Sequence, residues 1–520
     1  MEHLDAFQLQ MFHFSTSENL MQKRLRSILP VAAIFLLFIL GMALIQFATP
    51  NMPDNDGFYH IKLAQLMRTE GLKPEFTWLP LSILNEQEYY DHHFLYHVAL
   101  IPFTYFADLR IGAKWSAVVF SSLAFLAVWF LFHRQRVPYA WLWALALLGI
   151  SDAFLYRMSV TRAQSLSLAI LALAVAWLLE RKYKHLAVLS FVYVWLYDAF
   201  PLMVAFGILY LIAVLMVEHR FEYKPLLFIA GGIVLGLLIN PYFPDNIIFS
   251  WNHMIPKLTD ATSVRVGNEW FPYDTKQILE NSFPTLVAFV GGIFAIGLSP
   301  RKMDVRTAFT LLVTLLFGFM FLQARRFVEY FPPFALIFAA FACASLCIDF
   351  RYASVITTDS PLKRIASNVP VLVLSVLVIA SVARSIPRAQ EAVGNSKPYD
   401  LYAGASQWLA ENSPAGSRVF QTDWDDFPRL FFCNTHNTYL IGLDPTYMQL
   451  YDPQLYDLWV LVTRGKVDSP SKIISTRFGS QYVHTDLKHD AFIRVAENDT
   501  GLAEVYRDDQ AIIYEVHASP

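Results

Sequence analysis

The chain has 520 residues, of which 55% are hydrophobic, 15% aromatic and 16% charged, and its mean hydropathy is +0.39. This composition is too apolar for an ordinary soluble globule and is typical of a polytopic membrane protein. The net charge is −3, and we predict no nucleic-acid partner. The three cysteines predict neither a disulfide framework nor a zinc site, because two lie four apart in an apolar run and the third is alone.

Eleven apolar runs are long enough to be predicted as membrane spans. They are residues 28–48, 114–132, 138–155, 164–179, 186–199, 201–217, 226–242, 283–299, 307–322, 328–348 and 367–387. The run 94–106 is short and broken by Pro102, which favours a helix lying in the membrane interface. With that run left out of the count, the basic loops fall on the cytoplasmic side almost throughout, as the positive-inside rule requires.

The end of the chain has a different charge from the rest. Residues 395–520 hold 10 Lys and Arg against 17 Asp and Glu, a net charge of −7, whereas the other residues sum to +4. An amphipathic segment at 402–411 and strand-like segments at 418–420, 481–484 and 511–514 predict a mixed α/β fold. We therefore predict an acidic, water-soluble C-terminal domain.

These patterns give a fold class and a topology. The prediction is a polytopic α-helical membrane protein of about eleven spans, with interfacial helices in its first outer loop and a C-terminal mixed α/β domain. Residues 1–27 are predicted as a cytoplasmic tail, 28–390 as the membrane domain with outer loops 49–113 and 243–281, and 391–520 as the exoplasmic or periplasmic domain. The basic residues 23–26 before the first run predict an uncleaved anchor with the N-terminus in the cytoplasm.

The first outer loop carries acids, aromatic residues and histidines. Asp54 and Asp56 are two residues apart and precede Tyr59 and His60, so the acids are candidates to bind a divalent ion or to abstract a proton. An acidic turn after a membrane helix is the plainer interpretation. His60 would share a helix face with Asp56, as a further metal candidate or as a packing residue.

A second group in the same loop holds Asp91, His92 and His93. Adjacent histidines cannot readily bind one ion from a single helix face. A structural or interfacial role is at least as well supported, and Asp91 is predicted as a helix N-cap.

Four arginines on the predicted outer face run against the charge rule. They are Arg157, Arg162, Arg325 and Arg326. Their planar guanidinium groups suit the phosphate or diphosphate of a lipid carrier, while snorkelling to headgroups is the alternative. Asp152, before Arg157, is a further candidate metal ligand.

Two more acidic stretches lie on the predicted outer side. In the long outer loop, Glu269 stands between Asn268 and Trp270, where a fixed loop would place one carboxylate. In the tail, Trp424 and Asp425 follow a predicted strand, which predicts either a turn or the floor of an acceptor pocket.

Taken in chain order, these stretches resemble the catalytic subunit of oligosaccharyltransferases, within the GT-C class that also includes protein mannosyltransferase and aminoarabinose transferase types. The motif DGFYHIK at 56–62 resembles the first-loop acid motif, and VGNEWFP at 266–272 resembles the T-x-x-E loop with Glu269 on its Glu. Arg326 resembles the arginine that precedes the last helices. Trp424 and Asp425 match two positions of the WWDYG acceptor motif.

The sequence departs from this family at the second acidic motif, D-x-D, which follows an arginine like Arg157. The corresponding positions here read Gln164-Ser165-Leu166. The resemblance implies a divalent metal, Mg or Mn, held by Asp56 and Glu269, with Asp54, His60 and Asp152 as further ligand candidates.

The resemblance implies transfer of a sugar or glycan from a polyprenyl-phosphate or polyprenyl-diphosphate donor to an acceptor at the outer face of a bacterial-type inner membrane. Asp56 and Glu269 are the predicted catalytic pair, the four arginines bind the donor phosphate, and Trp424 and Asp425 bind the acceptor. A flippase or transporter of a lipid-linked sugar, or a GT-C-like scaffold without catalysis, are the alternatives.

Overall fold

A computed structural model describes residues 28–258, 267–355 and 361–517. The predicted cytoplasmic tail 1–27 and part of the predicted outer loop 243–281 therefore lie outside the described residues. Before the C-terminal domain, which is called the tail below, the helices are α1 (Ile28–Gln46), α2 (Asp56–Glu70), α3 (Phe94–Leu100), α4 (Leu109–Arg134), α5 (Ala140–Leu145), α6 (Asp152–Ser159), α7 (Gln164–Leu179), α8 (Tyr183–Leu196), α9 (Leu202–Glu218), α10 (Lys224–Leu238), α11 (Asp245–Leu258), α12 (Thr275–Leu298), α13 (Val305–Gln323), α14 (Phe331–Val355) and α15 (Pro361–Gly394).

Five described helices are each long and apolar enough to cross a membrane. They are α1, α4, α12, α13 and the part of α15 from Asn368 to Gly394. Helices α6 and α7 meet at 112° and make a sixth candidate if they form one bent span, while other apolar helices are 10–17 residues long. The chain is thus an integral membrane protein, and the count of eleven spans stays a prediction.

The predicted run 138–155 does not form one continuous helix. It contains α5, a 3₁₀ turn at Ala146–Leu148 and the start of α6. Gly149 lies against α15, where an added Cβ would stand 2.7 Å from the backbone nitrogen of Val382. Ser151 then caps α6 by accepting a hydrogen bond from the backbone N–H of Phe154 at 3.1 Å. Close backbone packing and a new N-cap end the first helix here.

The predicted interfacial run 94–106 is α3 followed by a 3₁₀ helix at Ile101–Tyr105. Its His97 is fully buried. Asp91 is not the N-cap of α3, because that position belongs to His93 and the Asp91 carboxylate contacts the His97 ring instead.

The C-terminal domain is the predicted mixed α/β fold. Its helices are α16 (Ala403–Asn412), α17 (Phe427–Cys433), α18 (Thr446–Tyr451), α19 (Pro453–Thr463), α20 (Pro470–Thr476) and α21 (Asp490–Ala496), and its strands are β1 (Arg418–Gln421), β2 (Thr438–Tyr439), β3 (Tyr482–Asp486), β4 (Leu502–Arg507) and β5 (Ala511–Val516). The strand order is β2-β1-β3-β5-β4. Strand β1 pairs in parallel with β2 and β3, and β5 is antiparallel to β3 and β4.

The C-terminal domain packs directly on the first outer segment. Tyr59 and Phe76 share one buried cluster with Phe427 and Phe431 of α17. The Trp78 indole donates to the carbonyl of Thr435 at 3.0 Å. Because aromatic rings from both parts form one core, the acidic tail is held against α2 rather than tethered loosely.

A buried arginine completes this interface. Arg429 of α17, 2% exposed, donates from Nε to Oδ1 of Asn55 at 2.7 Å and lies over the ring of Phe58 at 4.4 Å. The amide nitrogen of Asn55 donates in turn to Oδ2 of Asp425 at 2.6 Å. Asn55 therefore joins the first outer segment to the tail, directly between Asp54 and Asp56.

We expect Arg429→Met to destabilise this interface, because the side-chain oxygen of buried Asn55 loses its donor at a cost of about 1–3 kcal/mol. The midpoint of thermal unfolding of the purified full chain should fall. Arg477→Met, at an exposed position of the same domain, is the matched control and should leave the midpoint unchanged. Equal midpoints for both variants would contradict the prediction.

Candidate functional site

A cavity of about 630 Å³ lies where the first outer segment, the α6–α7 connection, the residues after Gly267 and the tail meet. Most of the predicted site residues line it together. They are Asp54, Asp56, Tyr59, His60, His92, His93, Arg157, Arg162, Glu269, Arg326, Trp424 and Asp425. Stretches that are hundreds of residues apart in sequence thus share one polar cavity.

Arg162 is the centre of the acidic side of the cavity. Its Nη2 lies 2.6 Å from Oδ2 of Asp56, its Nε forms an ion pair with Asp54, and its Nη1 lies 3.4 Å from Oε2 of Glu269. The Asp54 side chain also accepts from the backbone N–H of Asp56 at 3.2 Å, which fixes the turn before α2. One guanidinium group is therefore shared by three carboxylates.

Two further arginines surround Glu269. Arg157 donates from Nη1 to Glu269 Oε2 at 2.8 Å and from Nη2 to Glu329 Oε2 at 2.9 Å. Nη1 of Arg326 lies 3.7 Å from Oε1 of Glu269, and its guanidinium stacks 4.3 Å from the ring of Trp270. Glu269 contacts all three cavity arginines, so its carboxylate is the common counter-ion of the cluster.

The two predicted catalytic acids differ in their proton affinity. Burial raises the pKa of Asp56 to about 8; the Arg162 charge opposes this shift, and the charges of Asp54, Asp425 and Glu269 add to it. For Glu269, burial acts to raise the pKa, but the charges of Arg157, Arg326 and Arg162 outweigh it and hold that pKa well below its usual range. Asp56 can therefore exchange a proton near neutral pH, whereas Glu269 stays ionised.

A line of hydrogen bonds leads from the cavity into the first outer segment. Nδ1 of His60 lies 2.7 Å from Nε2 of His97, and Nδ1 of His97 lies 2.7 Å from Oδ2 of Asp91. Burial lowers the pKa of His60 well below 6.5, with the charge of His97 acting in the same direction. The His60 ring is therefore neutral near pH 7, and it can donate or accept in its contact with His97. Tyr59 shares a hydrogen bond of 3.3 Å with Tyr89 beside this line.

The C-terminal domain forms another wall of the cavity. Trp424 and Asp425 lie in a 3₁₀ turn after β1, and the Asp423 side chain accepts from the backbone N–H of Asp425 at 3.0 Å. Lys397 lies 3.3 Å from Asp425, yet burial raises the pKa of the Asp425 carboxyl. The predicted acceptor residues therefore line the same cavity as Asp56.

Three predicted residues do not line the cavity. One is Asp91, whose carboxylate contacts the His97 ring behind His60. Arg325 donates to the carbonyl oxygens of Phe271 and Pro272 at 3.2 and 3.0 Å, so it holds the loop that carries Glu269. Asp152 begins α6 at its N-terminal end, where a carboxylate is favourable to the helix dipole.

Sequence reasoning missed Glu329 and Tyr197 as parts of the site. Glu329 is 1% exposed and pairs with Arg157 across 172 residues of sequence. The Tyr197 hydroxyl accepts from Nη2 of Arg326 at 3.2 Å. The signals in the sequence are weak: Glu329 follows Arg326 by three residues, and Tyr197 lies in a Trp-Leu-Tyr-Asp segment. A single sequence does not identify the long-range partner of either residue.

The residues around the cavity do not fit a divalent metal. Within the described ranges, no group of three or more His, Cys, Asp or Glu side chains is arranged to hold an ion. The carboxylates of Asp54, Asp56 and Glu269 converge instead on the nitrogens of Arg162. The metal roles predicted for these acids, and for His60 and Asp152, are not supported by this geometry.

The fold is that of the GT-C class of membrane glycosyltransferases, as the sequence predicted. The chain is similar to the archaeal oligosaccharyltransferase AglB from Archaeoglobus fulgidus, solved with an inhibitory peptide and a dolichol-phosphate: the TM-score is 0.64 at 12% identity, over 94% of this chain and 74% of AglB. It is also similar to ArnT from Cupriavidus metallidurans bound to undecaprenyl phosphate, with a TM-score of 0.53 at 13% identity over 95% of this chain and 99% of ArnT.

A third similar structure is the arabinofuranosyltransferase AftD from Mycobacteria, with a TM-score of 0.58 at 13% identity over 94% of this chain and 40% of AftD. No protein-family model matches the chain, and no curated protein matches its sequence. At these identities the structural similarity shows the fold alone. Evidence for the chemistry comes from the residues of the cavity.

We expect His97→Phe to destabilise the protein, because Oδ2 of the buried Asp91 loses the His97 ring as its partner, while Oδ1 keeps the backbone N–H of His93. Leaving a buried acceptor without its donor costs about 1–3 kcal/mol. The midpoint of thermal unfolding of the purified chain is the measurement. His517→Phe, at an exposed position, is the control, and a His97→Phe midpoint equal to the control's would refute the prediction.

Proposed function

We propose that this protein is a glycosyltransferase that moves a sugar or glycan from a polyprenyl-phosphate or polyprenyl-diphosphate donor to an acceptor. The reaction takes place at the outer face of a bacterial-type inner membrane, with the N-terminus in the cytoplasm and the tail on the outer side. The observation that carries the proposal is the convergence of arginines, two catalytic acids and the tail's Trp424 and Asp425 on one cavity.

The solved structures support the donor class. AglB is described with a dolichol-phosphate and ArnT with undecaprenyl phosphate, and both share the fold of this chain. The phosphate of such a lipid is an anion, and guanidinium groups bind phosphate through paired N–H donors. We assign the donor phosphate to Arg157 and Arg326, both of which line the cavity.

Arg326 is the better placed of these two arginines to contact the donor. Its distance of 3.7 Å to Glu269 is the longest of the arginine contacts with that acid, and its hydrogen bond goes to the hydroxyl of Tyr197 rather than to a carboxylate. An anion entering the cavity can take a larger share of this charge than of Arg157, which has two close carboxylates. Arg325 is withdrawn from donor binding because its guanidinium holds the Glu269 loop.

Asp56 is the proposed base. Its carboxylate takes the proton of the acceptor nucleophile while the acceptor atom forms a bond to the anomeric carbon. The bond between that carbon and the phosphate oxygen breaks, and the electron pair leaves with the polyprenyl phosphate. Arg157 and Arg326 stabilise the negative charge that develops on the leaving group.

The tail supplies the acceptor side. The Trp424 ring offers an apolar surface and the Asp425 carboxyl a hydrogen-bonding group, both in a turn fixed by the Asn55 and Asp423 contacts. Because Asn55 lies between Asp54 and Asp56, the position of the acceptor wall is tied to the position of the base. We propose that this link sets the acceptor next to the reacting carbon.

Asp56→Asn should lower transfer by about 10²- to 10⁴-fold, the usual contribution of a general base, while the folded chain persists. The measurement is release of free carrier lipid from purified protein given undecaprenyl-phosphate and undecaprenyl-diphosphate sugars with candidate acceptors. Glu75→Gln, an exposed acid in the same outer segment, is the control and should retain the native rate.

Native turnover combined with an unchanged rate in Asp56→Asn would refute the role of Asp56. Movement of the lipid-linked sugar across vesicle membranes without release of carrier lipid would instead identify a flippase. Binding of the carrier lipid with neither turnover nor translocation would identify a scaffold.

The pKa of Asp56, raised to about 8, predicts the pH dependence of transfer. A base must be deprotonated, so the turnover rate should rise about tenfold per pH unit below the pKa and level off above it. Stability should change in the opposite direction. The pKa of Asp56 in the folded chain exceeds its ordinary value of 3.8, so Asp56 contributes stability that is complete below about pH 4 and is lost as the pH rises toward 8. A turnover rate that stays flat from about pH 6 to about pH 9 would contradict this assignment.

A further inference from the structure

The contacts of Arg162 with the acids indicate a role other than phosphate binding. Its three guanidinium nitrogens each face a different carboxylate: Nε that of Asp54, Nη2 that of Asp56, and Nη1 that of Glu269. The acids come from two separate segments, the turn at the start of α2 and the loop before α12. Among the described residues, Arg162 is the one cation that forms an ion pair with all three acids.

This is the arrangement that a divalent cation produces when it draws carboxylates from several segments to one point. A Mg or Mn ion would need those same carboxylate oxygens at about 2.0–2.2 Å. Here each carboxylate already pairs with the positive charge of the Arg162 guanidinium, and that side chain is only partly exposed. A second cation at this point would also be repelled by the fixed charge of Arg162.

The sequence around Arg162 agrees with this arrangement. Positions 164–166 read Gln-Ser-Leu, where the resemblance leads one to expect a second pair of acids. The amide of Gln164 donates to the backbone carbonyl of Arg157 at 3.0 Å, so this residue fixes the α6–α7 connection that carries Arg162. The connection therefore provides a positive charge where it lacks the acids.

We propose that Arg162 is a built-in cation that occupies the place of the divalent ion, so that the native chain neither binds nor requires a metal at this site. The guanidinium holds Asp54, Asp56 and Glu269 in position and offsets part of their negative charge in the absence of donor. The consequence for catalysis rests on the proposed glycosyl transfer, whereas the binding of metal is independent of it.

The direct test is Mn²⁺ binding to the purified, metal-free full chain, measured by electron paramagnetic resonance. The native chain should show no stoichiometric site. Arg162→Ala should gain one Mn²⁺ per chain, because Asp54 and Asp56 lose the guanidinium that pairs with them and the truncated side chain leaves room for an ion, while Glu269 keeps its contacts with Arg157 and Arg326. Adding Asp56→Asn to that variant should remove the gained site.

Arg325→Ala is the matched control, because this arginine lies outside the cavity, donates to the backbone oxygens of Phe271 and Pro272 and lies over the ring of Tyr273. It should gain no Mn²⁺ site. A stoichiometric site in the native chain that Asp56→Asn abolishes would overturn the proposal, as would a folded Arg162→Ala chain that binds no Mn²⁺. The result for the native chain decides the matter even if Arg162→Ala does not fold.

A second measurement separates this proposal from the proposed function. Turnover of the polyprenyl-linked donor by the native chain should be unchanged by a chelator, and a loss of turnover that Mn²⁺ restores would overturn the role of Arg162. If the native chain shows no turnover with any donor, the proposed function fails, and the Mn²⁺ binding experiment still tests Arg162 on its own.

Discussion

The cavity depends on the pairing of half-buried charges of opposite sign. An isolated charge is costly to remove from water, and a pair repays that cost only when the geometry satisfies both partners. Glu269 meets this requirement for three arginines at once, and Glu329 adds a second partner for Arg157. The loop that carries Glu269 is therefore positioned by electrostatics, with Arg325 fixing its backbone from the other side.

The membrane fold could be predicted from the sequence in outline, and most of the candidate site residues that it singled out line one cavity. Ionisable side chains next to long apolar runs cost free energy near lipid. Asp56, Arg157 and Arg326 were therefore site candidates from the sequence. The fold of the GT-C class also followed from motifs in chain order. The break at Gly149 could not be predicted, because it depends on the approach of α15 from more than two hundred residues away. The partners of Arg157 and Arg162 are likewise long-range contacts that no local pattern records.

The contact between the tail and the membrane domain explains why an acidic, water-soluble body belongs to the same functional unit. Composition alone separates the two parts at about residue 391, yet that position lies within the last turn of α15. Past that helix, Arg429 and Asp425 both bind Asn55, and aromatic rings from both parts form one core. A displacement of the tail would therefore move the turn that carries Asp54 and Asp56, so acceptor binding and proton transfer share one structural element.

The same turn gives its two acids different tasks. Asp54 is committed to structure, since it accepts the backbone N–H of Asp56 and pairs with Arg162. Asp56 has the single close ion pair with Arg162, and burial keeps its proton affinity high. A base is useful only if it can both gain and lose a proton at the working pH. Arg162 limits how far burial raises the pKa of Asp56, so the residue that holds the acids together also brings one of them close to neutral pH.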